Sequence, residues 1–467
     1  MNNNNRSRRP FHIILAAVLA LVMTVAVYGC DRKSGHSENG SSGHGDETQA
    51  PAEATELPLE TAEPHEVEEN AMGFTVDENG TVMLAGKPFY GFGVNVFTLV
   101  TREVESGTSD YKRQLDFLKE QGIPFIRINF GGYWPSYYEA FDADPEAVLG
   151  TLRKIVDYAE EVHVGLVCSL LWHDASLPTH VGEKRSAMGD QNSKTVKYAK
   201  DYVTTVVREF VDSPAIWAWE IGNEYNLDAD LCDPECKIWL PDGFGLADNA
   251  NGFDYYTSDE MRTFMAEVAK AIRAVDPNRM ISSGNSELRL CSKAMHDAGL
   301  KKDPKTHIWT VAWDMDSDDD FLYMNLLMAP NPIDCVSFHL QLCSQNADGE
   351  PVYTTSLPRF GRDVLPIQYF RIYANTAKQL KKAVFFGEFG DYLQLENDER
   401  TPEEFRKLLS WIRDAGIQIA CSWQFTGNKL YVTDNGIDGE KLDLIGTANG
   451  QLAVEGKQDT EAYWGRY

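Results

Sequence analysis

Short apolar runs along this chain end in side chains that can bind a polar substrate or move a proton. Asn95 closes the first run and Arg127 lies in the second; Trp172-His173-Asp174 closes the third and Asn223-Glu224 the fourth. His339 ends the sixth, Glu388 the seventh and Trp423 the eighth. Two carboxylates in different surroundings can divide the role of proton donor from that of base or nucleophile. Arg127 beside Glu388 would favour its ionised form, whereas Glu224, facing that negative charge and partly desolvated, would hold its proton near neutrality. Residues so far apart in sequence do this only if the fold brings all of these segment ends to one place.

The pattern of the runs supplies such a fold. Strands are expected at Tyr90 to Val96, Phe125 to Phe130, Val164 to Leu171, Ile216 to Gly222, Met280 to Ser283, Cys335 to His339, Ala383 to Gly387 and Ile417 to Trp423. Helix-like stretches lie between them, among them Tyr111 to Glu120, Pro145 to Glu161, Thr195 to Val211, Ser258 to Val275 and Pro402 to Ala415. Eight strands alternating with helices predict an α/β fold, a (β/α)8 TIM barrel with enlarged βα loops, whose chemistry stands at the C-terminal ends of the strands. An open doubly wound sheet is the rival. No Gly-rich phosphate loop follows any strand, which counts against a nucleotide-binding version. Ahead of the barrel, Phe74 to Leu84 reads as an N-terminal β-hairpin turning at Asn79-Gly80.

Composition narrows the substrate. The chain has 467 residues and a formal charge of -28, which repels nucleic acid, anionic lipid surfaces and polyanionic substrates. With 10 Trp, 20 Tyr and 22 Phe it is too aromatic to be largely disordered.

Longer motifs carry a family resemblance. Ser213-Pro-Ala-Ile-Trp-Ala-Trp-Glu-Ile-Gly-Asn-Glu224 resembles the strand and acid/base motif of glycoside hydrolase family 5, the cellulase and mannanase family of clan A. Phe385-Phe-Gly-Glu388-Phe-Gly resembles its nucleophile strand. Asp276-Pro-Asn-Arg-Met-Ile is similar to the approach to its fifth strand, and Leu84 to Asn95 to its entry hairpin and first strand. The resemblance runs from about residue 74 to 424. It implies a retaining β-glycosidase with Glu224 as acid/base and Glu388 as nucleophile, no cofactor and no metal. Retention needs carboxyls about 5 to 5.5 Å apart. Asn223 would bond the sugar's 2-hydroxyl, His173 would stand near the glycone subsite and His339 near the acid/base.

Trp423 is expected to floor the reacting sugar's subsite, with Trp134, Trp172 and Trp313 as further stacking candidates. Glu220 should face the same side one layer deeper, supporting Arg127 or a histidine rather than reacting. Two residues after His339, where the family commonly has a tyrosine that bonds the nucleophile, this sequence has Gln341. Either Gln341 takes part of that role or another tyrosine such as Tyr353 reaches in, so a divergent subfamily or a related clan A family stays open.

Outside the barrel, Arg6, Arg8 and Arg9 precede an apolar run from Phe11 to Val27, the pattern of a signal peptide over residues 1–29. The run ends in Val27-Tyr28-Gly29-Cys30, which resembles a bacterial lipoprotein site. This implies an extracytoplasmic protein, on the cell surface or in the periplasm, attached to the membrane only through lipidated Cys30; a plain anchor helix is the alternative. Residues 30–71 read as a disordered acidic tether and 72–467 as the catalytic domain, expected to be a monomer. Cys168, Cys335 and Cys421 read as buried small hydrophobes, while Cys232 and Cys236 could form a disulfide. Asp228, Asp230, Asp233 and the run Asp314 to Asp320 read as solvated acidic loops rather than a calcium site.

The expected function is hydrolysis of a neutral β-linked polysaccharide, β-1,4-mannan or β-1,4-glucan, by two glutamates. An exo-acting β-glycosidase on oligosaccharides and a non-catalytic carbohydrate-binding lipoprotein are the alternatives. A pure binder has no need of the Glu224 and Glu388 pair.

Overall fold

The computed structural model describes residues 71–467 except 108, 232–253, 290, 303–308, 311, 313, 315, 343, 346–350, 353–364, 392–401, 427–428 and 431–437. Cys30, the signal and tether, Cys232, Cys236, Asp233, Trp313 and Tyr353 therefore lie outside the described residues.

All eight expected strands form: β1 (Gly91–Asn95), β2 (Phe125–Asn129), β3 (Gly165–Ser169), β4 (Ile216–Glu220), β5 (Met280–Ser282), β6 (Cys335–Leu342), β7 (Ala383–Asp391) and β8 (Ile419–Ser422). From β1 through β5 every residue is buried, the signature of strands covered on both faces. They pair in parallel in the order β6-β7-β8-β1-β2-β3-β4-β5. The one remaining seam, between β5 and β6, is bridged by the Asp334 N–H donating to the Ile281 carbonyl at 3.0 Å. The Asp334 carboxylate accepts from the Ile281 N–H at 2.7 Å, and the Ser283 and Ser337 hydroxyls meet at 3.2 Å. The result is a nearly closed (β/α)8 barrel.

The expected helices fall within two residues of their observed ends because local signals fix them. Asp144 caps Pro145–Val162 with Pro145 in its first turn, Ser193 caps Lys194–Phe210, and Thr257 with Glu260 forms a reciprocal cap on Ser258–Arg273. Along Lys194–Phe210, the residues Val196, Ala199, Val203, Val206, Val207 and Phe210 are buried at helical spacing, so the apolar stripe faces the sheet.

The N-terminal end of the barrel is sealed. Phe74–Val76 pairs antiparallel with Val82–Leu84, and Lys87–Pro88 adds a third short strand. The Asp77 carboxylate accepts from the N–H groups of Asn79 and Thr81, and Gly80 takes φ +79°, where a Cβ would lie 2.4 Å from the Lys382 carbonyl oxygen. Behind this cap Phe74, Phe89, Phe125 and Trp217 pack ring against ring, with Phe74 and Trp217 centroids 4.9 Å apart. Apolar packing therefore fills one end, and polar side chains gather at the other.

The acidic run is exposed at Asp314, Asp318 and Asp319, as expected, but its second part is helix rather than loop. Asp318, Asp319 and Asp320 form the first turn of helix Asp318–Met328, capped by Ser317, and Asp316 accepts from the N–H groups of Lys293 and Ala294 at the start of helix Ser292–Ala298. Negative charge is favoured at those helix ends. Cys168, Cys335 and Cys421 are buried and free, as expected.

Candidate active site

Arg127 on β2 is wholly buried, so its charge must be met within the protein. Four hydrogen bonds and one further close contact hold the guanidinium. Nε donates to Glu220 Oε1 at 2.8 Å, and Nη2 lies 2.6 Å from the same oxygen. Nη1 donates to Asn95 Oδ1 at 3.0 Å and to Glu388 Oε1 at 2.8 Å; Nη2 also donates to Asn223 Oδ1 at 2.8 Å. One planar cation thus ties together β1, β2, β4 and β7. Glu220 ends β4, and its second oxygen accepts from the Ser282 hydroxyl. Asn95 completes the support by donating to the Gly387 carbonyl.

Neighbouring residues on a strand point to opposite faces, yet Asn223 and Glu224 both reach the mouth. Glu224 does so by taking a left-handed backbone, φ +58° and ψ +25°, a conformation rare outside glycine. Backbone bonds hold the turn: Asn223 N–H donates to the Trp172 carbonyl at 3.0 Å and Glu224 N–H to the Gly284 carbonyl at 2.8 Å. Gly284 must be glycine, since a Cβ there would lie 1.9 Å from the Gly222 oxygen.

Across the mouth, the β6–β7 register shifts so that Phe338 pairs with Phe386 but His339 with Glu388. Gly387, passed over in the pairing, lies under the His339 ring; a Cβ would come within 2.5 Å of His339 Nε2. His339 Nδ1 sits 2.9 Å from Glu224 Oε1 and 3.5 Å from Glu388 Oε1, between the two carboxylates, while Nε2 has no partner among the described residues. One oxygen of Glu224, one of Glu388 and a ring nitrogen of His339 all lie within 4.8 Å of one another. These three could ligate a divalent ion, but Arg127 sets a permanent positive charge on one of the donors, which opposes a second cation.

The electrostatics reverse the order expected from sequence. Burial pushes Glu388 up to about 7; His339 and Arg127 act to lower it and the charge of Glu224 to raise it. Glu224 is the more exposed of the two, its side chain 25% accessible against 8%. Burial raises it as well, but His339, Ser286 and Arg127 outweigh this and hold it below the usual carboxylate range. Depth in the barrel, invisible in the sequence, decides this: Arg127 divides its charge between Glu220 and Glu388 and does not fully offset the desolvation of Glu388.

An aromatic wall flanks the pair. The Trp172 ring lies over the Arg127 guanidinium at 4.8 Å. Phe97 touches Trp172, Tyr133 and Trp423 at centroid distances of 5.0, 5.0 and 6.2 Å. Tyr133 in turn meets Trp134 at 4.8 Å and His173 at 5.9 Å. The candidates Trp172, Trp423, Trp134 and His173 are therefore brought to one wall, linked by two residues that the sequence reading missed. Phe97 lies two positions beyond Asn95 on the same alternation and could have been found; Tyr133 sits in an irregular turn and gave no signal. Asp174 divides its carboxylate: Oδ1 lies 3.0 Å from His173 Nδ1, while Oδ2 belongs to a network in which buried Arg185 joins Asp174, Asp228 and Asp254. Strand β6 reaches Gln341, opposite Gly390; the Gln341 side chain is outside the described residues.

A profile of cellulase (glycosyl hydrolase family 5) matches residues 82–429. Mannan endo-1,4-beta-mannosidase F of Aspergillus clavatus is 23% identical over 227 residues, 44% of this chain and 45% of that protein. The probable mannan endo-1,4-beta-mannosidase F of Aspergillus oryzae is 24% identical over 44% of this chain and 42% of its own length. The chain thus spans less than half the length of these curated relatives. Among solved structures, the endo-1,4-beta-mannanase of Rhizomucor miehei superposes with a TM-score of 0.51 at 18% identity, covering 82% of this chain and all of that one. The exo-beta-1,4-mannosidase Op5Man5 of an Opitutaceae bacterium gives 0.51 at 16%, covering 82% of this chain and 63% of its own. These likenesses show the barrel fold. With the profile matched over most of its length and the motif residues gathered at one mouth, the chain belongs to glycosyl hydrolase family 5.

Proposed function

We propose that the protein is a retaining β-glycoside hydrolase acting on β-1,4-mannan. Glu388 attacks the anomeric carbon while Glu224 protonates the departing oxygen, giving a glycosyl ester on Glu388; Glu224 then removes a proton from the water that releases the sugar. The observation that carries this reading is the proximity of the two carboxylates, with an oxygen of each inside 4.8 Å. Inverting enzymes separate their carboxyls by about 6.5–9.5 Å to admit a water between them.

Burial by itself favours the proton on Glu388. A bound sugar covers the more exposed Glu224, raising the cost of its charge, while Arg127 stays on Glu388; the proton moves to the acid. Asn223, whose amide oxygen is held by Arg127, offers its NH2 to the 2-hydroxyl. The strongly acidic chain suits a neutral polymer, and the Aspergillus relatives' names point to mannan and to endo cleavage. Arg6 to Cys30 support secretion and lipid attachment, which labelled palmitate on the wild type but not on Cys30→Ala would test.

Mannan, glucomannan, carboxymethylcellulose and aryl glycosides are assayed in parallel. Mannan oligosaccharides of mixed length are expected, with activity abolished in Glu388→Ala; full activity in that variant overturns the assignment.

A further inference from the structure

Glu388 faces the barrel mouth because β7 carries one residue more than its neighbours. Phe386 packs on Phe370 of helix Pro366–Gln379 with ring centroids 5.1 Å apart, and Phe389 stacks on Phe405 of helix Pro402–Asp414 at 6.1 Å, so both rings point out of the barrel. Strict alternation does not put residues three apart on one face; it would turn Glu388 outward with Phe386. The register shows where the alternation breaks. Against β6, Phe386 pairs with Phe338 and Glu388 with His339; against β8, Phe386 pairs with Ala420 and Phe389 with Ser422. Gly387 and Glu388 thus stand opposite the single Cys421, a bulge that re-aims the carboxylate into the barrel.

A strand paired on both sides needs something to hold such a break. The Asn95 side chain reaches it from β1, wholly buried. Its Nδ2 donates to the Gly387 carbonyl at 2.9 Å and to the Ser422 carbonyl at 3.4 Å, the peptide oxygens just ahead of Glu388 and Trp423. Its Oδ1 accepts from Arg127 Nη1, and the same nitrogen donates to Glu388 Oε1. These bonds close a ring that runs from Asn95 through Arg127 to the Glu388 carboxylate and back along the main chain to Gly387. Both the backbone and the head of Glu388 are held by it. With no exposed surface, Asn95 does not itself meet the substrate. We propose that Asn95 is a positioning residue for the nucleophile: by gripping the Gly387 carbonyl it holds the bulge that aims Glu388 at the anomeric carbon. The inference rests on the reading of Glu388 as the nucleophile.

A 2-deoxy-2-fluoro-β-mannobiosyl fluoride tests the two readings separately. An oxygen of Glu388 bonds to C1 as the C1–F bond breaks and fluoride leaves with the electron pair; the 2-fluorine slows release of the ester, so the label survives for peptide mapping. Asn95→Asp keeps the acceptor for Arg127 and loses the donor to Gly387, whereas Asn95→Ala loses both. At the alkaline plateau, where Glu388 is ionised in every form, the inactivation rate constant should fall about 10²-fold in both variants. The dissociation constant of the fluoride should stay within threefold of the wild type, since the subsite walls are untouched.

If the wild type is unlabelled, or labelled on a residue other than Glu388, the reading of the site fails and this role with it. If the wild type is labelled on Glu388 and either variant reacts within tenfold of its rate constant, or loses affinity alone, the role of Asn95 fails by itself. An Asn95→Asp variant that reacts normally beside a slow Asn95→Ala would place the effect in the bond to Arg127 rather than in the grip on Gly387, and so overturns the proposal. Should one variant not fold, the other decides by the same criterion.

Discussion

Gly387→Ala adds one methyl group at the seat of His339. The new Cβ would lie 2.5 Å from Nε2 and 2.9 Å from Cδ2, where ordinary contact begins at 3.4 Å, so the ring must retreat by about 0.9 Å. His339 cannot move that far and keep Nδ1 at 2.9 Å from Glu224. Displacements near 1 Å in a reacting constellation can cost about 10²-fold, and overpacking costs about 1–3 kcal/mol of stability. On mannohexaose kcat/KM should fall by about two orders of magnitude, with thermal unfolding showing the smaller stability loss. Because the clash is with one side chain, His339→Ala in the same background should restore most of that stability without restoring activity, a coupling that a double-mutant cycle measures. If Gly387→Ala retains kcat/KM within threefold, or the double variant is as unstable as the sum of its parts, the seating of His339 on Gly387 is wrong.

Three further outcomes follow from the same geometry. Arg127→Lys replaces five donors by three, leaving at least one of the four bonds to Glu220, Glu388, Asn95 and Asn223 unmade. At about 1.5–3 kcal/mol for a charged bond, calorimetry should record a loss of at least that size. Glu388 sits near 7 when folded, above its unfolded value, so its contribution to stability is complete below about pH 4.5 and is lost as pH rises through 7. Glu388→Gln should therefore unfold at a higher temperature than the wild type at pH 8, with the difference shrinking toward pH 4.5; an equal difference at both would contradict the burial argument. Phe97→Ala removes the ring that joins Trp172, Tyr133 and Trp423, and should raise KM for mannohexaose about tenfold, or about 1.4 kcal/mol of binding.

The barrel was legible because parallel strands buried on both faces leave continuous apolar runs, and β1 through β8 all fell where those runs predicted. The chemistry at their ends followed from the fold's polarity: Arg127, Asn223, Glu224, His339 and Glu388 are joined by direct contacts. Less legible was whatever depends on depth or on irregular backbone. The sequence could not show that Glu388 would be the more buried carboxyl, nor that Tyr133 would carry the contact from Phe97 to His173. Asp174 does pair with His173 through one oxygen, but Arg185, buried and in need of counter-charges, claims the other, which the sequence did not show.

Proton NMR of the hydrolysis of mannopentaose, recorded before mutarotation, reads the central claim directly. With the two carboxylates close enough for one to attack the sugar that the other protonates, the first signal to grow should be the β-anomer of the new reducing end, the α-anomer following only as mutarotation proceeds. An α signal appearing first would mean a single inverting displacement, and the pairing of Glu224 with Glu388 would then have to be read as something other than acid and nucleophile.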